Sequence, residues 1–238
     1  TAIAPTASIS IICGGASPGV EPIAANSYTH KTLSGSYNVR NKYLQKILEE
    51  HKNAVMIGED IEGEYGGAFK ITRDLSQLYP GRVLNTPISE AAITGVGSGL
   101  AMGGFLPLVE IMFGDFLTLT FDQLLQHASK FETMYNGKVK TPLVVRTPMG
   151  GRRGYGPTHG QSIEGHFLGI PNLDILALNL RIGPDLVYRE LMNADHPPVL
   201  VIENKVLYTR TLRNEPPPGY VFELSDERFP TVRLRPIG

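Results

Sequence analysis

The feature that most constrains the fold of this chain is an alternation of short apolar runs with helical patterns, which begins near Asn53. The apolar runs predict strands at Ala54–Ile57, Val83–Asn85, Leu106–Glu110, Pro142–Arg146, Leu173–Leu178 and Val199–Glu203. Helical patterns separate them at Ile71–Leu78, Ser89–Met102, Phe116–Tyr135, Ser162–Leu168 and Pro184–Asn193. Continuous apolar strands joined by helices are typical of α/β proteins, so we predict a parallel sheet with helices on both faces.

Composition argues against several classes of protein. The net charge is −1 and the basic residues are dispersed over the 238 residues, so nothing predicts binding to nucleic acid or to a membrane surface. The single cysteine, Cys13, excludes an internal disulfide and fits a reducing compartment. The apolar stretch Ile3–Cys13 is too short to cross a bilayer and lacks the basic region of a signal peptide. We expect a cytoplasmic protein, or a mitochondrial matrix protein in a eukaryote.

One candidate site lies where the strands end, because ligands of open parallel sheets bind beyond the carboxyl ends of the strands. Glu90, Phe113–Phe116 and the loop Thr147–Ser162 all follow predicted strands on that side. Glu90 opens an apolar helix, where a desolvated carboxylate suits proton exchange with a nitrogen heterocycle. Taken alone, the local run favours an ordinary first-turn acid that faces the helix dipole.

Three other patterns have structural explanations. The glycines between Gly95 and Gly104 lie in a predicted helix, and no Gly-x-Gly-x-x-Gly or Walker pattern follows a strand. Close helix packing therefore explains them better than phosphate binding does. Glu59 and Asp60 fit an acidic turn at a strand end, and we assign no metal ligand. The loop Arg152–Tyr155 fits a solvated basic turn as well as it fits a substrate mouth or a partner contact.

A set of motifs between Ala54 and Arg210 resembles one family, the β subunit of the thiamine diphosphate-dependent 2-oxoacid dehydrogenases, in its pyrimidine-binding domain. The motifs are Gly58-Glu59-Asp60, Gly66-Gly67-Ala68-Phe69-Lys70, Thr86–Glu90, Phe121-Asp122-Gln123, Gly156–Ser162 and Ile202-Glu203-Asn204. The resemblance implies that Glu90 is catalytic and binds the pyrimidine ring nitrogen of the cofactor. It implies that His159 is catalytic near the thiazolium and the substrate, although the family usually has Ser where this chain has Gly160. It also implies that Phe116 and Met112 line the pyrimidine pocket, while both also suit a plain apolar core.

The resemblance further implies an oxidative decarboxylation of a small 2-oxoacid with acyl transfer to a lipoyl-bearing acyltransferase. Pyruvate, a branched-chain oxoacid and acetoin-type substrates stay open. In the family, Mg²⁺ and the cofactor diphosphate are held by a Gly-Asp-Gly motif on the E1 α subunit or an equivalent diphosphate-binding domain. This chain has no Gly-Asp-Gly, so we expect it to supply the pyrimidine half of a shared site in a heterotetramer. The alternatives are a catalytically incomplete fragment or assembly module, and a transketolase-type relative.

The first fifty residues have a different character and resemble a fragment of the ribonucleotide reductase large subunit. The matching segments are Ile3–Ser10, Gly19–Pro22, Thr32–Gly35 and Asn41–Leu44. The radical cysteines of that family are absent, so reductase activity is excluded, and a fused fragment, a misjoined gene model and a packing element all stay open. We predict an amphipathic helix at Val39–His51. The expected divisions are an extension at 1–52, the pyrimidine-binding domain at 53–214 and a linker at 215–238 toward a further domain.

Overall fold

The computed structural model describes residues 28–32, 35–39, 42–213 and 215–237. A parallel six-stranded sheet with the strand order β4-β3-β5-β6-β8-β7 forms its centre. An antiparallel hairpin precedes the sheet and another follows it. The strands are β1 (Tyr28–Thr32), β2 (Gly35–Val39), β3 (Ala54–Gly58), β4 (Val83–Asn85), β5 (Leu106–Glu110), β6 (Val144–Met149), β7 (Asp174–Ala177), β8 (Val199–Asn204), β9 (Tyr220–Leu224) and β10 (Val232–Pro236). The predicted α/β class and all six predicted strands are confirmed.

Helices cover both faces of the sheet, as the alternation predicts. The α-helices are α1 (Lys42–Glu50), α2 (Leu75–Leu78), α3 (Glu90–Met102), α4 (Phe131–Met134) and α5 (Pro184–Leu191). Three 3₁₀-helices lie at Gly114–Thr120, Glu164–Phe167 and Lys205–Thr209, and a π-helical turn lies at Gln123–Ala128. No helix among these described segments is long and apolar enough to cross a membrane.

The single helix predicted at Phe116–Tyr135 is wrong, because the chain divides there into 3₁₀, π and α segments. The Thr120 hydroxyl donates to the carbonyl of Leu117 at 2.8 Å, a local bond that competes with regular α-helix. Leu117, Leu124 and Ala128 nevertheless all enter the same buried cluster. A π turn changes the direction in which the following side chains leave the helix axis. Here this change keeps Leu117, Leu124 and Ala128 packed against the sheet.

The two faces of the sheet carry separate cores because side chains alternate along each strand. Leu108 of β5 packs with α1 and α5 on one face, where Leu48 and Leu191 are fully buried. Val109, the next residue, packs with α3 on the other face. The inner strands β3, β5, β6 and β8 are thus buried on both sides, which explains why they read as continuous apolar runs, while the edge strands β4 and β7 are partly exposed.

Gly97 lets α3 approach the sheet closely. A Cβ atom at this position would lie 2.4 Å from Cγ2 of Val109 and 2.9 Å from Cδ1 of Leu143. A Cβ at Gly99, on the exposed side of the same helix, would meet nothing within 4 Å. Close packing therefore accounts for Gly97, as the sequence predicts, and does not account for Gly99.

The amphipathic helix predicted before the first sheet strand is present as α1, which buries Leu44, Ile47 and Leu48. The Arg82 side chain stabilises its carboxyl end, since Nη1 donates to the Leu48 carbonyl at 2.7 Å and Nη2 to the His51 carbonyl at 2.5 Å. Cys13 and most of the segments that resemble ribonucleotide reductase lie outside the described residues.

Candidate functional site

The candidate site is built from loops that leave the carboxyl ends of neighbouring strands. Glu59 follows β3, Glu90 follows β4, Phe116 follows β5, His159 follows β6 and Lys205 follows β8. These strands are adjacent in the sheet. Residues from five separate stretches of sequence therefore meet along one edge, as the general rule for open parallel sheets predicts.

Two buried carboxylates form the first part of the site. Glu59 is 7% exposed and Glu90, the first residue of α3, is 6% exposed. Oε1 of Glu59 is buried and has no hydrogen-bond partner among the described residues. Burial raises the pKa of Glu59 to about 7, with smaller contributions from the carboxylates of Glu90 and Asp60. Glu59 can therefore hold or release a proton near neutral pH.

Aromatic rings around His159 form the second part. The imidazole packs edge-on against two phenylalanine rings, with centroid distances of 5.0 Å to Phe113 and 5.2 Å to Phe116. Its Nδ1 lies 2.9 Å from the Thr158 hydroxyl. Burial lowers the pKa of His159, Asp115 opposes that change and Lys205 adds to it. Burial between the two rings thus disfavours the charged imidazolium form of His159.

The 3₁₀-helix that carries Phe116 connects the two parts, because it also packs against α3, the helix that Glu90 opens. Gly114 lets the same segment approach β6 closely, since a Cβ there would lie 2.6–2.9 Å from three atoms of Met149 on β6. The Thr147 hydroxyl of β6 donates to the carbonyl of Ile111 at 3.0 Å. The turn after β5 is therefore fixed to β6 on one side and to α3 on the other.

The loop that carries His159 is held at its far end by a buried carboxylate. Oδ1 of Asp115 accepts from the backbone N–H of Gln161 at 3.1 Å and from its side-chain amide at 2.9 Å. The N–H of Gly150 donates to the Gln161 carbonyl at 3.2 Å and closes the loop. A Cβ at Gly160 would lie 3.0 Å from the Gly156 carbonyl oxygen, so the glycine that follows His159 suits this tight closure.

Lys205 lies beneath the same loop and is fully buried. Its Nζ donates to the backbone carbonyl of His159. The ammonium also lies 5.3 Å from the ring centroid of Phe113 and 5.1 Å from that of Tyr155, within the range of cation–π attraction. Burial lowers the pKa of Lys205 to about 8, opposed by Asp115 and reinforced by Arg153.

A buried ion network ties the strands together behind the site. Arg146 of β6 pairs with Glu110 at the end of β5 and with Glu203 near the end of β8. Glu203 also accepts from the hydroxyls of Tyr188 at 2.5 Å and Tyr208 at 2.6 Å. Burial tends to raise the pKa of Glu203, but Arg146 and these donors outweigh burial and hold that pKa low. For Glu110, burial outweighs the attraction of Arg146 and raises the pKa. The network fixes the strand ends from which Phe113 and Lys205 continue.

Comparison with known proteins places residues 37–210 of the chain in a family. A family model described as "Transketolase, pyrimidine binding domain" matches residues 37–210. The chain belongs to this family. The match confirms the resemblance of the segment between Ala54 and Arg210 to a pyrimidine-binding domain.

Curated relatives of this pyrimidine-binding domain are named as dehydrogenase subunits. "Pyruvate dehydrogenase E1 component subunit beta-1, mitochondrial" of Arabidopsis thaliana is 32% identical over 200 residues, which is 83% of this chain and 52% of the relative. "Pyruvate dehydrogenase E1 component subunit beta" of Porphyra purpurea is 37% identical over 162 residues, 68% of this chain and 48% of the relative. The chain thus spans about half the length of the curated relatives it matches.

A solved structure agrees with the fold of the domain. A chain titled "Split gene transketolase, inactive beta4 tetramer" matches with a TM-score of 0.50 at 21% sequence identity, covering 68% of this chain and 48% of that chain. At this identity the likeness shows the fold alone.

The structure places the residues predicted from the sequence in two groups. Glu90 lies beside Glu59, while Phe116 packs against His159. Met112 is half-buried and packs on the core on the α1 side. Among the described residues, no group of three or more His, Cys, Asp or Glu could hold a metal ion.

Sequence reasoning missed two residues of the site, Asp115 and Lys205. Each contacts a residue of the His159 loop that lies 46 positions away in the sequence. Local sequence patterns carry no information about contacts over this separation. A weak indication existed for Lys205, because it lies three residues after the apolar run Val199–Ile202 of β8. Glu59 is the third difference, since the sequence suggests only an acidic turn and the structure buries its carboxylate.

Proposed function

We propose that this chain is the pyrimidine-binding part of the β subunit of a thiamine diphosphate-dependent 2-oxoacid dehydrogenase. The observation that carries the proposal is the buried carboxylate pair Glu59 and Glu90 at the carboxyl edge of the sheet. The family match over residues 37–210 and the names of the curated relatives support it.

The residues present fit the aminopyrimidine ring of thiamine diphosphate. Glu90 is a buried acid at a helix start, able to hold a proton at a ring nitrogen, and Oε1 of Glu59 is a buried acceptor without a partner in the described structure. Phe116 and Met112 are half-buried apolar side chains beside this edge, suited to pack on the ring. When bound, thiamine diphosphate supplies the carbon nucleophile and electron sink that 2-oxoacid decarboxylation needs.

His159 has the properties of a substrate-binding or proton-donating residue. It stands between Phe113 and Phe116, where burial lowers the pKa of the imidazole. A neutral imidazole can donate a hydrogen bond from one nitrogen while it accepts at the other. We assign His159 to binding of the oxoacid or to transfer of the acyl group.

The proposal extends to partners and location. The diphosphate and Mg²⁺ would be held by an E1 α subunit, or an equivalent domain, in a heterotetramer, and a lipoyl-bearing acyltransferase would receive the acyl group. Domain limits of 1–52, 53–214 and 215–238 remain our proposal. The relatives named mitochondrial or chloroplastic favour an organelle in a eukaryotic source, and a bacterial source would place the protein in the cytoplasm.

The substitution Glu90→Gln tests the proposal in the complex reconstituted with the α subunit. We expect turnover of the 2-oxoacid to fall on the order of 100- to 10,000-fold, because the acid that exchanges a proton with the ring is lost. Assembly, followed by analytical ultracentrifugation, should be unchanged.

Asp185→Asn is the matched control, because Asp185 is likewise an acid in the first turn of a helix. It should leave turnover unchanged, since a helix-dipole role affects stability only. Normal turnover of Glu90→Gln in an assembled complex would refute the catalytic assignment and favour an assembly module.

A further inference from the structure

We propose that Lys205 is a positioning residue for His159, holding the backbone of the His159 loop through its ammonium group. This inference rests on the proposed function, which makes His159 a substrate-binding residue. Lys205 is not among the site residues that the sequence predicts.

The geometry of Lys205 indicates a specific task. A lysine is rarely buried fully, because removing its charge from water is costly unless partners compensate. Here the compensation comes from the His159 carbonyl, which accepts from Nζ, and from the faces of Phe113 and Tyr155 at 5.3 and 5.1 Å. The anchor therefore acts on the backbone of the very residue whose side chain reaches into the cleft.

Lys205 and His159 share the same aromatic neighbour. Phe113 lies 5.0 Å from the imidazole centroid and 5.3 Å from the Lys205 ammonium. The rotamer of the histidine ring and the position of its own carbonyl are thus set by one cluster. Loss of the ammonium would remove the hydrogen bond that holds the His159 carbonyl, while the ring contacts of Tyr155 and the hydrogen bonds at Gly150 and Gln161 would remain.

The charges around the pair define a pH-dependent signature. Asp115 faces both His159 and Lys205, and Arg153 faces Lys205. The positive charge of Lys205 and the burial that its anchoring maintains both disfavour the imidazolium form of His159. Removing Lys205 should therefore move the titration of His159 toward higher pH.

Lys205→Met provides the test, because methionine keeps the apolar stem and removes the charge and the donor. In the 238-residue chain labelled with ¹³C at His Cε1, with His159→Asn used for assignment, the His159 midpoint should move to higher pH. In the reconstituted complex, the acidic limb of the kcat/KM profile should shift in the same direction, and KM should rise more than kcat falls.

Lys140→Met is the matched control, because Lys140 is exposed and pairs with Asp195 at 2.7 Å. It should move neither the midpoint nor the profile. If Lys205→Met does not fold, the His159 midpoint is measured in Lys205→Gln, where the same shift is expected. An unchanged His159 midpoint in a folded variant would overturn the positioning role. A shifted midpoint, with no 2-oxoacid turnover by the wild-type complex, would uphold the positioning role and refute the proposed function.

Discussion

Three buried charged groups near the site differ in how they are compensated. Arg146 has two carboxylate partners, and Lys205 has a carbonyl and two aromatic rings. Glu59 has an oxygen without a partner among the described residues and a second carboxylate beside it. Its burial therefore lowers the stability of the folded chain whenever it is ionised, which is expected of a group retained for binding or catalysis.

Glu59→Gln should remove a pH dependence of stability. The folded-state pKa of Glu59 is about 7, above its ordinary value of 4.5. The folded chain therefore binds more protons between these values, and its stability falls as the pH rises through this window. Relative to wild type, the glutamine variant should gain about 1–3 kcal/mol in free energy of unfolding between about pH 5 and about pH 8, measured by urea denaturation.

Glu64→Gln is the control for that comparison, since Glu64 is exposed in the same loop region. It should change the free energy of unfolding by less than about 0.5 kcal/mol at either pH. A Glu59→Gln variant that tracks wild type across the whole range would show that the carboxyl is hydrated in solution.

Among the elements, α3 shows how one helix serves both packing and chemistry. Its first residue is Glu90, and its inner face presents Gly97 to β5. Because the glycine lets the helix lie close to the sheet, it also fixes where the first turn places the carboxylate. The packing of α3 against the sheet therefore also determines the position of the Glu90 carboxylate.

Gly97→Ala and Gly99→Ala should have opposite effects on stability. In an ordinary helix, alanine in place of glycine stabilises by about 0.5–1 kcal/mol, and we expect this at the exposed Gly99. At Gly97 the added methyl would overlap Val109 and Leu143, so we expect a loss of about 1–3 kcal/mol. Thermal and urea unfolding of the two variants measure the difference, and equal stabilisation by both would contradict the close packing of α3.

The sequence predicts elements well where a single physical cause dominates. All six sheet strands follow from short apolar runs, and α3 follows from its regular pattern to within one residue. The single helix predicted at Phe116–Tyr135 is wrong because apolar periodicity does not distinguish α, 3₁₀ and π turns. Local hydrogen bonds from side-chain hydroxyls compete there with the regular α-helix. In the site, Glu90 and Phe116 follow strand ends and could be found, whereas Asp115 and Lys205 depend on contacts between distant segments.

At the scale of the whole molecule, the candidate site is an open edge. The carboxylates, the rings and the His159 loop all lie along the carboxyl ends of the strands. The sequence contains no Gly-Asp-Gly motif for a diphosphate. Under the proposed function, this edge would form one half of a cofactor site shared with an α subunit.

Thiamine diphosphate with Mg²⁺ should consequently bind the 238-residue chain at least about tenfold more weakly than the complex with the α subunit, a difference of about 1.4 kcal/mol. Isothermal titration calorimetry of the chain, the α subunit and their mixture measures it. Thiamine, which lacks the diphosphate, should discriminate less between chain and complex. Equal affinity of thiamine diphosphate for the chain alone and for the complex would refute a shared site.

The position of β8 has a consequence for biosynthesis. This strand is the last of the sheet in the sequence, yet it lies between β6 and β7. A nascent chain that has emerged only as far as α5 holds five of the six strands, but β7 lacks its neighbour and β6 presents an unpaired edge. The residues that fill this gap lead directly into Lys205. The sheet therefore cannot be finished strand by strand as the chain leaves the ribosome, and the anchor of the His159 loop arrives with the strand that completes it.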